Sequence, residues 1–300
     1  MTGYPTKPVR VVIGIAPGGG LDAMTRVGAL KLSERLGQTF IVDNRPGGGT
    51  LIGMDIVAKA APDGYTLLGA SDTLMLNGVL KRAQYDVRKA FAPIVQLSTQ
   101  SYVMAVTASL PVKTVTELIA YAKAKPGALS YGSQGLGTNG HVGMERFRSM
   151  TGTDMVHVPY KGSGPALIDV LSGQIHLTFA STVASAAHIR SGRLKGIAVT
   201  GARRTQAYPD MPTVTESGVP GFELTNSYSY FAPAGTPAAI TRLIARVMSE
   251  GMNAPDTVRR LAADGSEPYP PSTPEAFKAR FDRQYAELEK VIRAANISIK

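Results

Sequence analysis

A short apolar run that breaks into glycines and then opens a helix constrains this chain most: residues 9–26 read VRVVIGIAPGGGLDAMTR. β-Branched apolar residues suit a buried strand, and glycines let the backbone turn and approach a ligand closely. The period of the residues that follow predicts a helix starting at the loop. A helix start carries unpaired N–H groups and about half a positive charge, so the unit suits a phosphate or a carboxylate. The same order returns in residues 129–147, LSYGSQGLGTNGHVGMERF. Two such units facing each other across a cleft would direct two helix starts at one anionic molecule.

Alternating strand and helix patterns run through most of the 300 residues. Strands are predicted over 9–15, 39–43, 65–70, 102–107, 129–132, 155–159, 174–179 and 195–200. Helices are predicted over 21–36, 115–125, 138–150, 165–171 and 274–295. This order implies an α/β protein with largely parallel sheets. TVTE at 114–117 has capping-box form, and Pro274 suits the first position of the last helix.

Formal net charge is +10, which points to anionic partners. The Lys and Arg residues are dispersed, with no basic run, so nucleic acid is not expected and a small acid is the better match. No apolar run approaches the roughly 18 residues of a membrane span. Cysteine is absent, which excludes disulfides, thiolate chemistry and Cys-based metal sites. The four histidines lack metal-ligand spacing, and no metal is expected. His157 and His176 lie in strand-like runs, and only His141, just inside the second helix, is placed to face a cleft.

Two catalytic readings compete with simple binding. Gly18, Gly20 and Ala23 give G-x-G-x-x-A, and Asp43 ends the next strand about 20 residues on, as in a dinucleotide site. That makes an NAD(P)-dependent oxidoreductase the alternative, but Pro17 interrupts the strand-to-loop join and NRPGGG adds a second glycine cluster foreign to that motif. YGSQG at 131–135 resembles a nucleophile elbow with Tyr131 where its first glycine belongs, so Ser133 is read as a hydrogen-bonding residue. In PYKGSGP, residues 159–165, Lys161 sits in a glycine-rich turn that suits a ligand contact or a hinge.

APGGGLDAMTR, VDNRPGGGTLIGMDIVAKAAPDGYTLL, SQGLGTNGHV, VHVPYKGSGPALIDVLSGQI and PDMPTVTESGVPGFE followed by FAPAGTP occur in that order. Together they resemble the substrate-binding proteins of tripartite tricarboxylate transporters, the Bug family, from about Tyr4 to the C-terminus. The resemblance implies an α/β, two-domain periplasmic binding protein of type II, with a two-stranded hinge and a ligand cleft between domains. The expected domains are residues 1–100 with 226–300, and residues 101–225. The resemblance further implies a periplasmic location, with an export leader absent from this sequence. It implies a small organic acid as ligand and a membrane permease as partner, with no catalysis and no cofactor; a monomer is expected.

Carried over by motif, the pocket comprises Ile15, Pro17, Gly18, Gly19, Gly20, Asp22, Ser71, Asn77, Ser133, Gly137, Thr138, His141, Tyr160 and Lys161. The crossing segments add Ala180, Ser181, Ser227 and Tyr228. Ile15 stands where many members have Phe, Ala180 where many have Asp, and Ser227 where many have Trp; the chain has no Trp. Fewer jaw aromatics leave room for a longer or flatter body, with Tyr228, Tyr230 and Phe231 nearby. Loss of the Asp removes a partner for an ammonium. The expected ligand is therefore a dicarboxylate, terephthalate as the specific guess and adipate close behind, with aspartate and glutamate disfavoured.

Overall fold

A computed structural model of the protein describes residues 3–263 and 265–294. Its strands are β1 (Val9–Ile13), β2 (Phe40–Asn44), β3 (Thr66–Ser71), β4 (Phe91–Thr107), β5 (Leu129–Ser133), β6 (Met155–Pro159), β7 (Leu177–Ser181), β8 (Leu194–Val199), β9 (Thr225–Pro233) and β10 (Ser266–Pro268). Their order is β2-β1-β3-β9-β4-β7-β5-β6, with β8 and β10 also paired to β4.

The sheet is mixed, not largely parallel. β1 runs parallel to β2 and β3, and β5 parallel to β6 and β7. β9 is antiparallel to both β3 and β4, and β4 is antiparallel to β7, β8 and β10. The long strand β4 belongs to both ends of the molecule. Phe91–Ser101 pairs with β9, and Tyr102–Val106 pairs with β7. Expectation began this strand at 102. Its first part is obscured in sequence by Pro93 and by irregularities at Pro93/Val95 and Gln96/Ser98, which break the two-residue alternation.

Two halves follow from this pairing. In the first, β1, β3 and β9 are packed on one face by helices Gly20–Leu36 and Ala238–Met252, through Val11, Ile13, Leu32, Tyr230 and Met248. On the other face Phe231 meets Phe277 and Phe281 of the Pro274–Ala294 helix. Residue 295, the expected end of that helix, lies outside the described residues. In the second half Tyr131, Phe147, Phe179 and Phe222 form the core beneath helices Val115–Ala124 and Asn139–Thr151. Half of the capping box forms: Thr114 Oγ1 accepts the Glu117 N–H at 3.1 Å, whereas Glu117 Oε2 accepts from the Lys113 N–H, one residue before the cap, at 2.6 Å. Among the described residues, no helix is long and apolar enough to cross a membrane.

Candidate functional site

The loops that follow β1 and β5 meet at the seam between the halves, where strands end and helices start. Ile15, Gly20 and Leu21 of the first and Gln134 and Thr138 of the second line one cavity. The start of helix Ser163–Ser172 joins them through Ser163, and β3, β7 and β9 contribute Ser71, Ser181 and Tyr228. In this closed arrangement the cavity is small, about 30 Å³. Glycine is required where neighbouring elements crowd the first loop. A Cβ on Gly19 would strike Ser163 Oγ, and one on Gly20 would strike the Tyr228 hydroxyl and come within 2.9 Å of Gln100 Nε2.

The halves are closed on each other. Ala16 N–H donates to the Lys161 carbonyl at 2.8 Å, and Asn139 N–H to Thr73 Oγ1 at 3.2 Å. Arg82 Nη1 donates to the Leu136 carbonyl across the same seam. Beside the first cavity, and sharing Thr50 and Gln134 with it, lies a second. Its walls include Gly47–Gly49, Arg82, Gly135, Tyr160 and Lys161.

The expected site residues divide into three groups. Ile15, Gly20, Ser71, Thr138, Ser181 and Tyr228 line the first cavity, while Tyr160 and Lys161 line the second. Gly19 closes against Ser163, whereas Pro17 and Gly18 are exposed at the rim. Asp22, Asn77, Ser133, Gly137, His141 and Ser227 shape the walls from behind. Asp22 accepts from Gly18 N–H and Arg26 Nε, and Asn77 Nδ2 donates to the Gly49 carbonyl and Thr50 Oγ1. Ser133 Oγ bonds His157 Nε2 at 2.7 Å, and Gly137 N–H donates to His141 Nδ1 at 3.1 Å.

Ala180 points the other way. Strand alternation gives Phe179 and Ala180 opposite faces, and Ala180 packs in a core with Leu167 and Val170 instead of lining either cavity. Tyr230 and Phe231 are likewise core residues: Tyr230 donates its hydroxyl to the Thr25 carbonyl, and Phe231 joins the Phe277 and Phe281 cluster. The dinucleotide reading also loses its acid, since Arg10 and Arg45 bind the Asp43 carboxylate at 2.6 and 3.1 Å.

Leu21 falls inside the expected first loop, whereas Thr50, Thr73, Tyr102, Gln134, Ser163 and Asn226 in the lining, and Arg82 and Asp72 beside it, were not among the expected site residues. Gln134 and Ser163 stood inside motifs already singled out; the rest carry no local signal. Among the lining residues of the first cavity there is no Asp, Glu, Lys or Arg. Its polarity comes from hydroxyls, two amides and helix starts. Asp72, between lining residues Ser71 and Thr73, accepts the Ser227 N–H at 2.9 Å; burial raises its carboxyl to about 7, opposed by that bond. Burial works against ionisation of Asp22, but bonds from Arg26, Asn44 and Gly18 outweigh it and hold its carboxyl low.

A family model described as the tripartite tricarboxylate transporter family receptor matches residues 24–297. Protein BugT of Bordetella pertussis is 33% identical over 300 residues, covering 99% of this chain and 92% of that one. An R. palustris protein solved with adipate superposes with a TM-score of 0.93 at 34% identity, over 99% of both chains. MatC from Rhodopseudomonas palustris, solved with bound malate, gives a TM-score of 0.91 at 26% identity over 96% of this chain and 100% of its own.

Proposed function

The chain belongs to the tripartite tricarboxylate transporter receptor family, and from that premise we propose that it captures a linear dicarboxylate by closing two domains over it. Its class is that of a periplasmic solute-binding receptor serving membrane transporter components, with the two-domain type II fold and no enzymatic role. One observation carries the ligand reading: the helix starts at Gly20, Asn139, Ser163 and Thr182 and eight hydroxyl side chains, among them Ser71, Thr73, Thr138, Ser163 and Ser181, converge on a cavity free of side-chain charge. Such a surface solvates a carboxylate with N–H and O–H donors and adds the positive end of the helix dipole. It offers no lining carboxylate for an ammonium, so acidic amino acids are disfavoured.

A linear diacid is favoured over a flat aromatic one because, of the three aromatics expected near the pocket, Tyr230 and Phe231 lie in the core and only Tyr228 lines it. The similar R. palustris protein solved with adipate supports the same choice. The domains are residues 1–100 with 226–300, and residues 101–225, joined at the β4 crossing and the start of β9. Calorimetric titration with adipate, terephthalate, citrate, glutamate and aspartate tests the reading. Adipate is expected to bind most tightly. Tight binding of glutamate or aspartate with no response to the ammonium-free acids would overturn it.

A further inference from the structure

We infer that the second cavity, at the mouth of the cleft, is a subsite for the distal carboxylate of the ligand, with Arg82 and Lys161 as its cationic groups. The inference rests on the dicarboxylate reading and gives each end of that molecule its own place. The two cavities adjoin at Thr50 and Gln134, and the proposed ligand passes these two side chains to run from the helix starts into the second space. The first cavity has no side-chain cation; the second has two.

Arg82 is held by neutral acceptors, as Arg146 is elsewhere in the protein, but here beside a cavity. Its guanidinium donates to Asn77 Oδ1 at 3.0 Å, to the Gly48 carbonyl at 3.2 Å and to the Leu136 carbonyl, all neutral acceptors. Among the described residues no carboxylate lies within ion-pairing distance of Arg82 or Lys161, although Arg10, Arg26, Arg45, Arg88 and Arg148 all have one. A guanidinium has five N–H donors, and these bonds use three. Carbonyls fix the plane of the group without neutralising it, which leaves a pre-oriented cation for a carboxylate to meet. Glycines at 48, 49 and 135 keep side chains out of the same space. A Cβ on Gly49 would collide with the Leu136 carbonyl, and one on Gly137 would come within 2.5 Å of Arg82 Nη1. Lys161 adds a second charge at the exposed rim, where its backbone carbonyl already takes part in closure.

The test compares adipate with its monomethyl ester, which keeps the length and removes one charge. The wild-type protein should prefer adipate by about tenfold or more, a factor that corresponds to about 1.4 kcal/mol. In Arg82→Gln both ligands lose what the Arg82–Leu136 closure bond contributes, but adipate should lose more, so that the preference collapses towards one. Arg82→Lys should retain part of the preference. Lys161→Gln, whose side chain makes no bond among the described residues, should show a smaller loss of the same kind. A wild-type preference near one, an unchanged preference in Arg82→Gln, or equal losses for adipate and ester would overturn the inference; equal losses would make Arg82 only a closure contact. Failure of the wild-type protein to bind any diacid would instead overturn the dicarboxylate reading, and this subsite with it.

Discussion

Asp72 holds the Ser227 N–H at 2.9 Å where β3 meets β9, and the ionisable groups facing it are the hydroxyls of Tyr102 and Tyr228, with no cation. Burial raises its carboxyl to about 7 against an unfolded value of about 3.9. A raised carboxylic acid stabilises the fold below about pH 4, and the contribution is lost as pH rises towards 7. Asp72→Asn keeps an acceptor for Ser227 and cannot ionise. Its melting temperature should therefore match the wild type near pH 4 and exceed it at pH 8; equal melting temperatures at both values would show that the buried charge costs nothing. At this scale the sequence announces residues inside glycine motifs, such as Thr138 and Gly20, because the motif is local. Asp72 and Arg82 are silent in it. Their partners lie 155 and 54 positions away, and only the folded sheet brings those pairs together.

The second strand–glycine–helix unit is braced by a histidine pair. The His141 and His157 rings stack with centroids 3.9 Å apart, while His157 Nε2 meets Ser133 Oγ and His141 Nδ1 accepts from Gly137. Burial, with the neighbouring His141, drives His157 down to about 4, and burial lowers His141 as well. Both must be neutral for the loop to hold its shape. Since the unfolded chain binds protons near 6.5 and the folded one resists until about 4, stability present above pH 6.5 should fall as pH drops through that window. The slope is up to about 1.4 kcal/mol per pH unit for one group. His157→Asn should flatten the slope measured by denaturant unfolding between pH 7 and 4; an unchanged slope would assign the acid sensitivity elsewhere. At this scale both glycine units and most strands were legible, because apolar period and loop chemistry agree. The first part of β4 was not, since Pro93 and two irregularities erase its alternation. His157 was read as structural, whereas its partnership with His141 is set by the parallel pairing of β5 with β6, which brings Tyr131 opposite His157.

For the whole molecule, the argument is one of motion about β4 and the start of β9. Among the described residues few direct bonds span the cleft itself: Ala16 to Lys161, Asn139 to Thr73 and Asn226, and Arg82 to Leu136, with the exposed Arg203–Glu267 pair joining the halves elsewhere. Individually such bonds contribute about 0.5–1.5 kcal/mol, so closure without a ligand is weakly held and a ligand touching both halves can set the balance. The net charge of +10 assists capture of a dianion at low ionic strength. Two-domain architecture was readable from the repeated unit and the family motifs; the long shared strand that couples the halves was not, because its pairing changes partner midway without any break in chain direction. Small-angle scattering of the protein alone and at saturating adipate tests closure on a dicarboxylate most directly, with binding verified by calorimetry on the same sample. The account predicts a smaller radius of gyration with adipate and a scattering curve that matches the closed structure. Saturated binding with an unchanged radius, and a free protein whose curve fits an open form, would contradict it.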